Sequence, residues 1–312
     1  MNGLNSWKGL KTNKAMKKFL LFAALSAMAL SLSAQTKNIQ KEYSEFSVME
    51  ISDAFDVTLV PSDEYSAILT VDEVLESYVR AFVKGKTLYI TLDTKSIPKE
   101  LKKQMNSKNT PEPTLKAVVR APKLSSVILS DDAVFGIAEP VNYDSFSLTA
   151  GDNSKVRSLN IQGRKAEVKL DKKASVTAKI LADDVVIKAS GSSVLNLEQE
   201  SKDFNVESSG SAAITSVVSA KNVNLTTSGS SVLTLTGTTD NLVVKGSGSS
   251  TVNAVNLTTP STSVVLANSC TVTQSATKDL KVEMSGKSTL IYNNNPKFEI
   301  VLVKTSTIQK YK

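Results

Sequence analysis

The chain has no histidine and a single cysteine in 312 residues, and aromatic residues make up only 5% of it. Without imidazole there is no Ser-His-Asp triad, no histidine-ligated zinc and no imidazole general base. A lone cysteine, Cys270, makes no internal disulfide, so an exported form of this chain is not disulfide-stapled. No aromatic residue recurs along the second half, which leaves no repeated platform for stacking sugars. Aromatics do not interleave with basic residues either, so the pattern expected of a nucleic-acid binder is missing. The longest apolar run, Phe19 to Leu32, is shorter than the ~20 residues a membrane-spanning helix takes.

That run has a different meaning. Lys14, Lys17 and Lys18 precede it and Ser33-Ala34-Gln35 follows, the order of an export signal with cleavage near Ala34 and a mature start at Gln35. Met16 is an alternative initiator. The predicted location is therefore periplasmic, outer-surface or secreted. No cysteine stands at the cleavage zone to take a lipid. Residues 1–34 carry five lysines and no acid, so their removal leaves 32 basic and 30 acidic residues. The chain's formal charge of +7 is then mostly a property of the signal, and no nucleic-acid partner is expected.

What the sequence does have is a repeat. SGSSVL at Ser190, SGSAAI at Ser209, SGSSVL at Ser228 and SGSSTV at Ser247 start 19 residues apart, with ANSCTV at Ala267 and SGKSTL at Ser285 beyond them. A unit this short is one turn of something that stacks. The segments between alternate with period two, as in Phe204-Val206-Ser208 against Asn205 and Glu207, which predicts half-buried strands. Aligning the repeats gives four ladders of constant character: Val185-Phe204-Val223-Leu242; Ile187-Val206-Leu225-Val244-Val264-Val282; Leu195-Ile214-Leu233-Val252-Val272-Leu290; and the small Ser193-Ala212-Ser231-Ser250-Cys270-Ser288. Cys270 is therefore a buried spacer, not a nucleophile. The predicted fold is all-β: a right-handed, single-stranded parallel β-helix of about 19–20 residues per repeat, with handedness following the usual chirality of parallel crossovers. The alternative, an antiparallel sandwich, has no need of one strict period.

Gly191, Gly210, Gly229, Gly248, Asn268 and Gly286 are the predicted corner residues, because a sharp corner calls for positive φ. Asp184, Asp203, Asn222, Asn241 and Asp279 are expected to start the following strands as Asx turns. Fainter copies at Ser130, Ala150 and Leu170 extend the regular repeats over 115–292, so the solenoid is expected to begin around residue 115 or before. Residues 44–93 are also β, with a short helix from Asp72 to Val79 capped by Asp72 and packed through Val74, Leu75, Tyr78 and Val79. Residues 94–113, rich in Lys, Ser, Asn and Pro, form a polar excursion. Asn293 to Pro296 break the pattern, 297–303 make a C-terminal cap strand through Phe298, Ile300 and Leu302, and Thr305 to Lys312 fray.

Ile51-Ser52-Asp53-Ala54-Phe55-Asp56-Val57-Thr58-Leu59 resembles the opening of the bacterial putative auto-transporter adhesin, head GIN domain family, common in Bacteroidetes. So do Asp63-Glu64-Tyr65, the run from Val71 through Val79, and Gly85-Lys86-Thr87-Leu88-Tyr89-Ile90, while Ser209-Gly210 and Ser228-Gly229 are similar to its later part. The resemblance covers residues 42–303. It implies a right-handed parallel β-helix and brings no catalytic residues. No membrane barrel accompanies it, so self-transport is not implied.

Two functional classes follow. The first is a non-catalytic adhesin-like or structural role, with glycans or another cell-surface protein as partner, through outward Asn205, Glu207, Asn224, Thr226, Thr234 and Lys245. The five equivalent SGSS serines fit corner geometry and not catalysis, which needs one special serine. The second is a cation-dependent polysaccharide lyase. Asp132, Asp152 and Asp171, with Asp131 beside them, occupy successive upstream turns and would take calcium if stacking made them converge. Lys155, Arg164, Lys172 or Lys173 would serve as base. Glu198 and Glu200 share one polar turn with no acid opposite, so a glycosidase pair is not predicted. The simpler reading leaves all these acids on solvated corners, with no cofactor.

Overall fold

The computed structural model describes residues 35–105, 107, 111–137 and 139–311. The export signal expected over residues 1–34 lies outside the described residues. In chain order the strands begin with β1 (Thr36–Glu42), β2 (Val48–Ile51), β3 (Asp56–Pro61) and β4 (Ser66–Asp72). A 3-10 helix, Glu73–Tyr78, leads to β5 (Val79–Lys84) and β6 (Thr87–Leu92). Helix α1 (Lys99–Met105) precedes β7 (Leu115–Ala121), β8 (Ser126–Leu129), β9 (Val134–Ile137) and β10 (Val141–Ala150). Long bent strands follow: β11 (Lys155–Leu170), β12 (Ser175–Ala189), β13 (Val194–Ser208), β14 (Ala213–Thr227), β15 (Val232–Gly246), β16 (Thr251–Leu266) and β17 (Thr271–Met284). The chain ends in β18 (Thr289–Tyr292), β19 (Lys297–Val303) and β20 (Thr307–Lys310).

Successive long strands pair in parallel, each residue beside its equivalent one coil on: Val194 with Ala213, Ala213 with Val232. This register excludes the sandwich and makes the chain a parallel β-helix. The ladders read from the sequence are its interior; Phe204, Val223, Val244, Leu233, Val264 and Leu290 are all buried. Each coil is one strand that bends, not two strands with a turn. Asp203, Asn222 and Asn241 therefore stand in mid-strand and form no Asx turn at a strand start. Asn222 donates to Asp203 at 2.9 Å and Asn241 to Asn222 at 3.0 Å. Stacking at about 4.8 Å brings like amides within hydrogen-bond reach, so the rung beside supplies the partner that local backbone was expected to supply.

The stacking begins earlier than residue 115. β2 lies between β6 and β8, and β3 between β7 and β9, all parallel. The polar excursion replaces one tight corner: β6 and β7 belong to the same coil, and Asp93 to Thr114, with α1, run between them. β1, β4 and β5 pair antiparallel and close the N-terminal end. The short helix is 3-10, and Asp72 caps it with no side-chain bond; its carboxylate accepts from the Thr114 N–H at 3.2 Å instead. With three residues per turn, Leu75 and Tyr78 share the packed side, while Val74 is turned out and 64% exposed. At the other end the last strand expected over 297–303 is β19, a further parallel rung on β17, and the tail forms β20 on β18 where fraying was expected. No helix among the described residues is long and apolar enough to cross a membrane.

Candidate functional site: the corner groove

Every coil but the one that carries the polar excursion turns at one corner, where a residue takes positive φ. In chain order these are Asp53, Asp131, Asp152, Lys172, Gly191, Gly210, Gly229, Gly248, Asn268, Gly286 and Thr305, with φ from 55° to 72°. The glycines and Asn268 stand where the repeat placed them. The residues before them, Gly151, Asp171, Ser190, Ser209 and Ser228, stack as a row, each N–H donating to the carbonyl one coil below, as from Ser209 to Ala189 at 2.9 Å.

Two residues earlier in each coil an outward row runs parallel to the corner: Thr149, Lys169, Lys188, Glu207, Thr226 and Lys245, in direct register. Between the two rows lies a trough of about 600 Å³. It spans five coils, about 19 Å along the solenoid axis at the usual strand spacing. Hydroxyl and charged side chains line it together with the last inward residues of each coil, Ala150, Leu170, Ala189 and Ser208.

The charge in the trough is concentrated low down. Lys169 and Lys188 are stacked on adjacent rungs. One carboxylate, Glu167, serves both, at 3.2 Å from Lys169 and 3.7 Å from Lys188. Lys172 sits at the corner, bonded to Asp152. That hydrogen bond holds Lys172 above the usual lysine range and Asp152 below the usual carboxylate range, so both stay ionised near neutral pH. A second trough, about 370 Å³, lies on the face beyond the corner, lined by Asn160, Thr177, Lys179, Asn196, Glu198 and Thr215 among others.

The acids considered for a cation fall in three different rows. Asp171 lies in the row before the corner, Asp152 in the corner row, and Asp132 one position after it. Each is engaged locally: Asp171 accepts from Ser190 at 2.9 Å, Asp152 from Lys172, and Asp132 from Asn153 at 2.6 Å. Among the described residues no group of three or more His, Cys, Asp or Glu side chains is placed to hold a metal ion. Of the basic residues considered with them, Arg164 pairs with Asp144 at 2.9 Å, and Lys172 is the one that lines the trough. Glu198 is paired with Lys179 at 2.6 Å. Lys169 and Lys188 were not singled out from the sequence. Their signal was present: they are 19 residues apart, one full coil, so the period alone stacks them.

Comparison with known proteins agrees with the fold. The family model described as "Putative auto-transporter adhesin, head GIN domain" matches residues 45–199 and again 175–296. A structure described as a putative adhesin from Parabacteroides distasonis ATCC 8503 is 16% identical, with a TM-score of 0.51, covering 89% of this chain and 98% of that one. A second, described as a putative adhesin from Parabacteroides merdae ATCC 43184, is 16% identical with a TM-score of 0.49, covering 90% and 98%. A third, described as a putative lipid binding protein from P. distasonis ATCC 8503, is 19% identical with a TM-score of 0.47 over the same shares. No curated protein matches in sequence.

Proposed function

This chain belongs to the putative auto-transporter adhesin, head GIN domain family, and we propose that it is a non-catalytic binding protein of the cell envelope. Its ligand is an extended, negatively charged glycan laid along the corner groove. The observation that carries this reading is the stacked pair Lys169 and Lys188 with one shared carboxylate, inside a trough open over five coils. One carboxylate shared by two ammonium groups leaves the pair with a net positive charge, which attracts a further anion. The hydroxyls of Ser190, Ser209 and Ser228 offer further polar contacts along the same line. Such contacts are individually weak and additive along a chain, which suits attachment. Among the described residues no three His, Cys, Asp or Glu side chains assemble a cation site, and the reading is one of binding without turnover. Export through residues 1–34 places the groove outside the cytoplasm.

Acidic polysaccharides such as polygalacturonate and alginate are the probes, with neutral dextran as control. Binding is expected to the acidic chains and to weaken steeply with salt. Lys169→Glu with Lys188→Glu is expected to reduce affinity about tenfold or more, two exposed contacts of up to ~1 kcal/mol each being lost. Binding that ignores salt and both substitutions would sink the reading. Appearance of an unsaturated uronate product, or a melting temperature raised by calcium, would favour the lyase in its place.

A further inference from the structure

The outward row that carries Lys169 and Lys188 continues past the lower end of the trough. Lys169 pairs with Thr149, Thr149 with Ile128, Ile128 with Glu50, Glu50 with Tyr89, and Tyr89 with Phe82. The strands of this row are parallel down to β6, and antiparallel β5 closes it with Phe82. The trough itself reaches down to Leu129, on β8. Tyr89 stands two rungs beyond β8, roughly 10 Å at the usual strand spacing, and about 19 Å from Lys169. Among the described residues no aromatic ring lines the trough, so the first ring along this row is Tyr89.

Phe82 and Tyr89 are stacked, with ring centroids 5.3 Å apart and planes at 20°. Tyr89 covers one side of Phe82; on the other, β5 has no further described strand beside it. Phe82 is 44% exposed, whereas Phe46, Phe55, Phe135, Phe146 and Phe204 are buried. A ring left in water on an outermost strand forgoes its burial energy and invites another strand to pair. This edge is guarded against pairing. Lys41 Nζ donates to the Ala81 carbonyl at 3.3 Å, and Arg80 and Lys84 flank Phe82 on the same face. A saturated ring fits the place better than a strand. A pyranose lays its C–H face on an aromatic ring and turns its hydroxyls to polar groups around it. Here Lys84 is a donor beside Phe82, Arg80 is held by Asp93 at 3.0 Å, and Glu50 is an acceptor one rung from Tyr89. Glu50 also disfavours a charged sugar at its own rung and favours a neutral one.

We propose that Phe82 and Tyr89 form a stacking subsite for a neutral sugar ring, reached by an extended glycan where it leaves the lower end of the corner groove. The subsite rests on the glycan reading of that groove and adds to it a second contact of different chemistry. The lysines hold charge, and the rings hold the apolar face of a sugar farther along the same chain.

Calorimetric titration with oligogalacturonates of two lengths tests it, one too short to reach from Lys169 to Tyr89 and one long enough to cover both. The long chain is expected to bind the unsubstituted protein more tightly. Phe82→Ala, with its circular dichroism spectrum unchanged, is expected to weaken the long chain about fivefold and leave the short one as it was; Phe82→Tyr, which keeps the ring, is expected to retain the long chain's affinity. Glu50→Gln is expected to tighten the long, fully acidic chain about twofold and not the short one, because only the long chain passes that carboxylate. A long chain bound equally by Phe82→Ala and the unsubstituted protein overturns the subsite. So does a Phe82→Ala loss shared by the short chain, or a Glu50→Gln gain shared by it. The groove reading survives those results where Lys169→Glu with Lys188→Glu still weakens both chains. Failure of both chains to bind the unsubstituted protein overturns the groove reading and the subsite with it.

Discussion

A Cβ added at Gly229 would stand 2.6 Å from the carbonyl oxygen of Gly210, in a backbone with φ of 69°. Two costs coincide there: the left-handed conformation, about 1–2 kcal/mol for an ordinary residue, and a contact with backbone that cannot swing aside. Gly229→Ala is expected to lower the unfolding free energy by about 3 kcal/mol, read from urea denaturation; a loss under about 1 kcal/mol would mean that the coils can part. Tyr43 presents the opposite case, a buried polar atom left unbonded among the described residues. Its hydroxyl has no hydrogen-bond partner there, and burial pushes its pKa up to about 12. The unfolded chain releases that proton near pH 10, before the folded one does, so the folded state holds more protons and loses stability as pH rises from about 10 to 12. Tyr43→Phe is expected to abolish this share of the alkaline loss and, by removing an unsatisfied hydroxyl, to add up to about 1 kcal/mol at neutral pH. Parallel pH titrations of melting temperature would show it; identical alkaline slopes in both proteins would refute it.

At the scale of the coil, the unit is 19 residues long where β12 to β15 stack without a bulge. Deleting residues 209–227 joins Ser208 to Ser228, keeps the small interior row and the corner row continuous, and lets β13 meet β15 in register. That variant is expected to fold with an unchanged β-type circular dichroism spectrum and to lose the stability of one coil and one interface. Removal of half a coil is expected to leave the chain aggregated. If both deletions behave alike, the coil is not the folding unit. This is the scale at which the sequence is most legible. A ladder such as Ile187-Val206-Leu225-Val244 needs only period and residue class, both of which are local. The corner row is legible from Gly191 onward because glycine signals positive φ by itself. At Asp131, Asp152 and Lys172 the residue types do not announce the same conformation, and only the register assigns it. The Asx turns were misread for a related reason: an Asn beside a strand looks the same whether its amide bonds its own backbone or the next rung. The three acids put forward for calcium are close in sequence phase, but a shift of one residue at a corner moves a side chain to another row.

For the molecule as a whole, the interior is continuous and the ends decide how it wears. β13, β14 and β15 are paired on both sides, so their amides exchange only when neighbouring coils separate. β1 is held on one edge by β4, and β20 on one edge by β18. Hydrogen exchange followed by mass spectrometry is expected to show slowest exchange across residues 194–246, with protection falling toward both ends. The groove lies away from both ends, since Lys169 and Lys188 stand on β11 and β12, many coils from β19. A glycan should therefore add protection around residues 169–209 and leave the exchange of β1 and β19 unchanged. Protection of β19 by the glycan would show that the open end, and not the corner groove, is where the ligand sits.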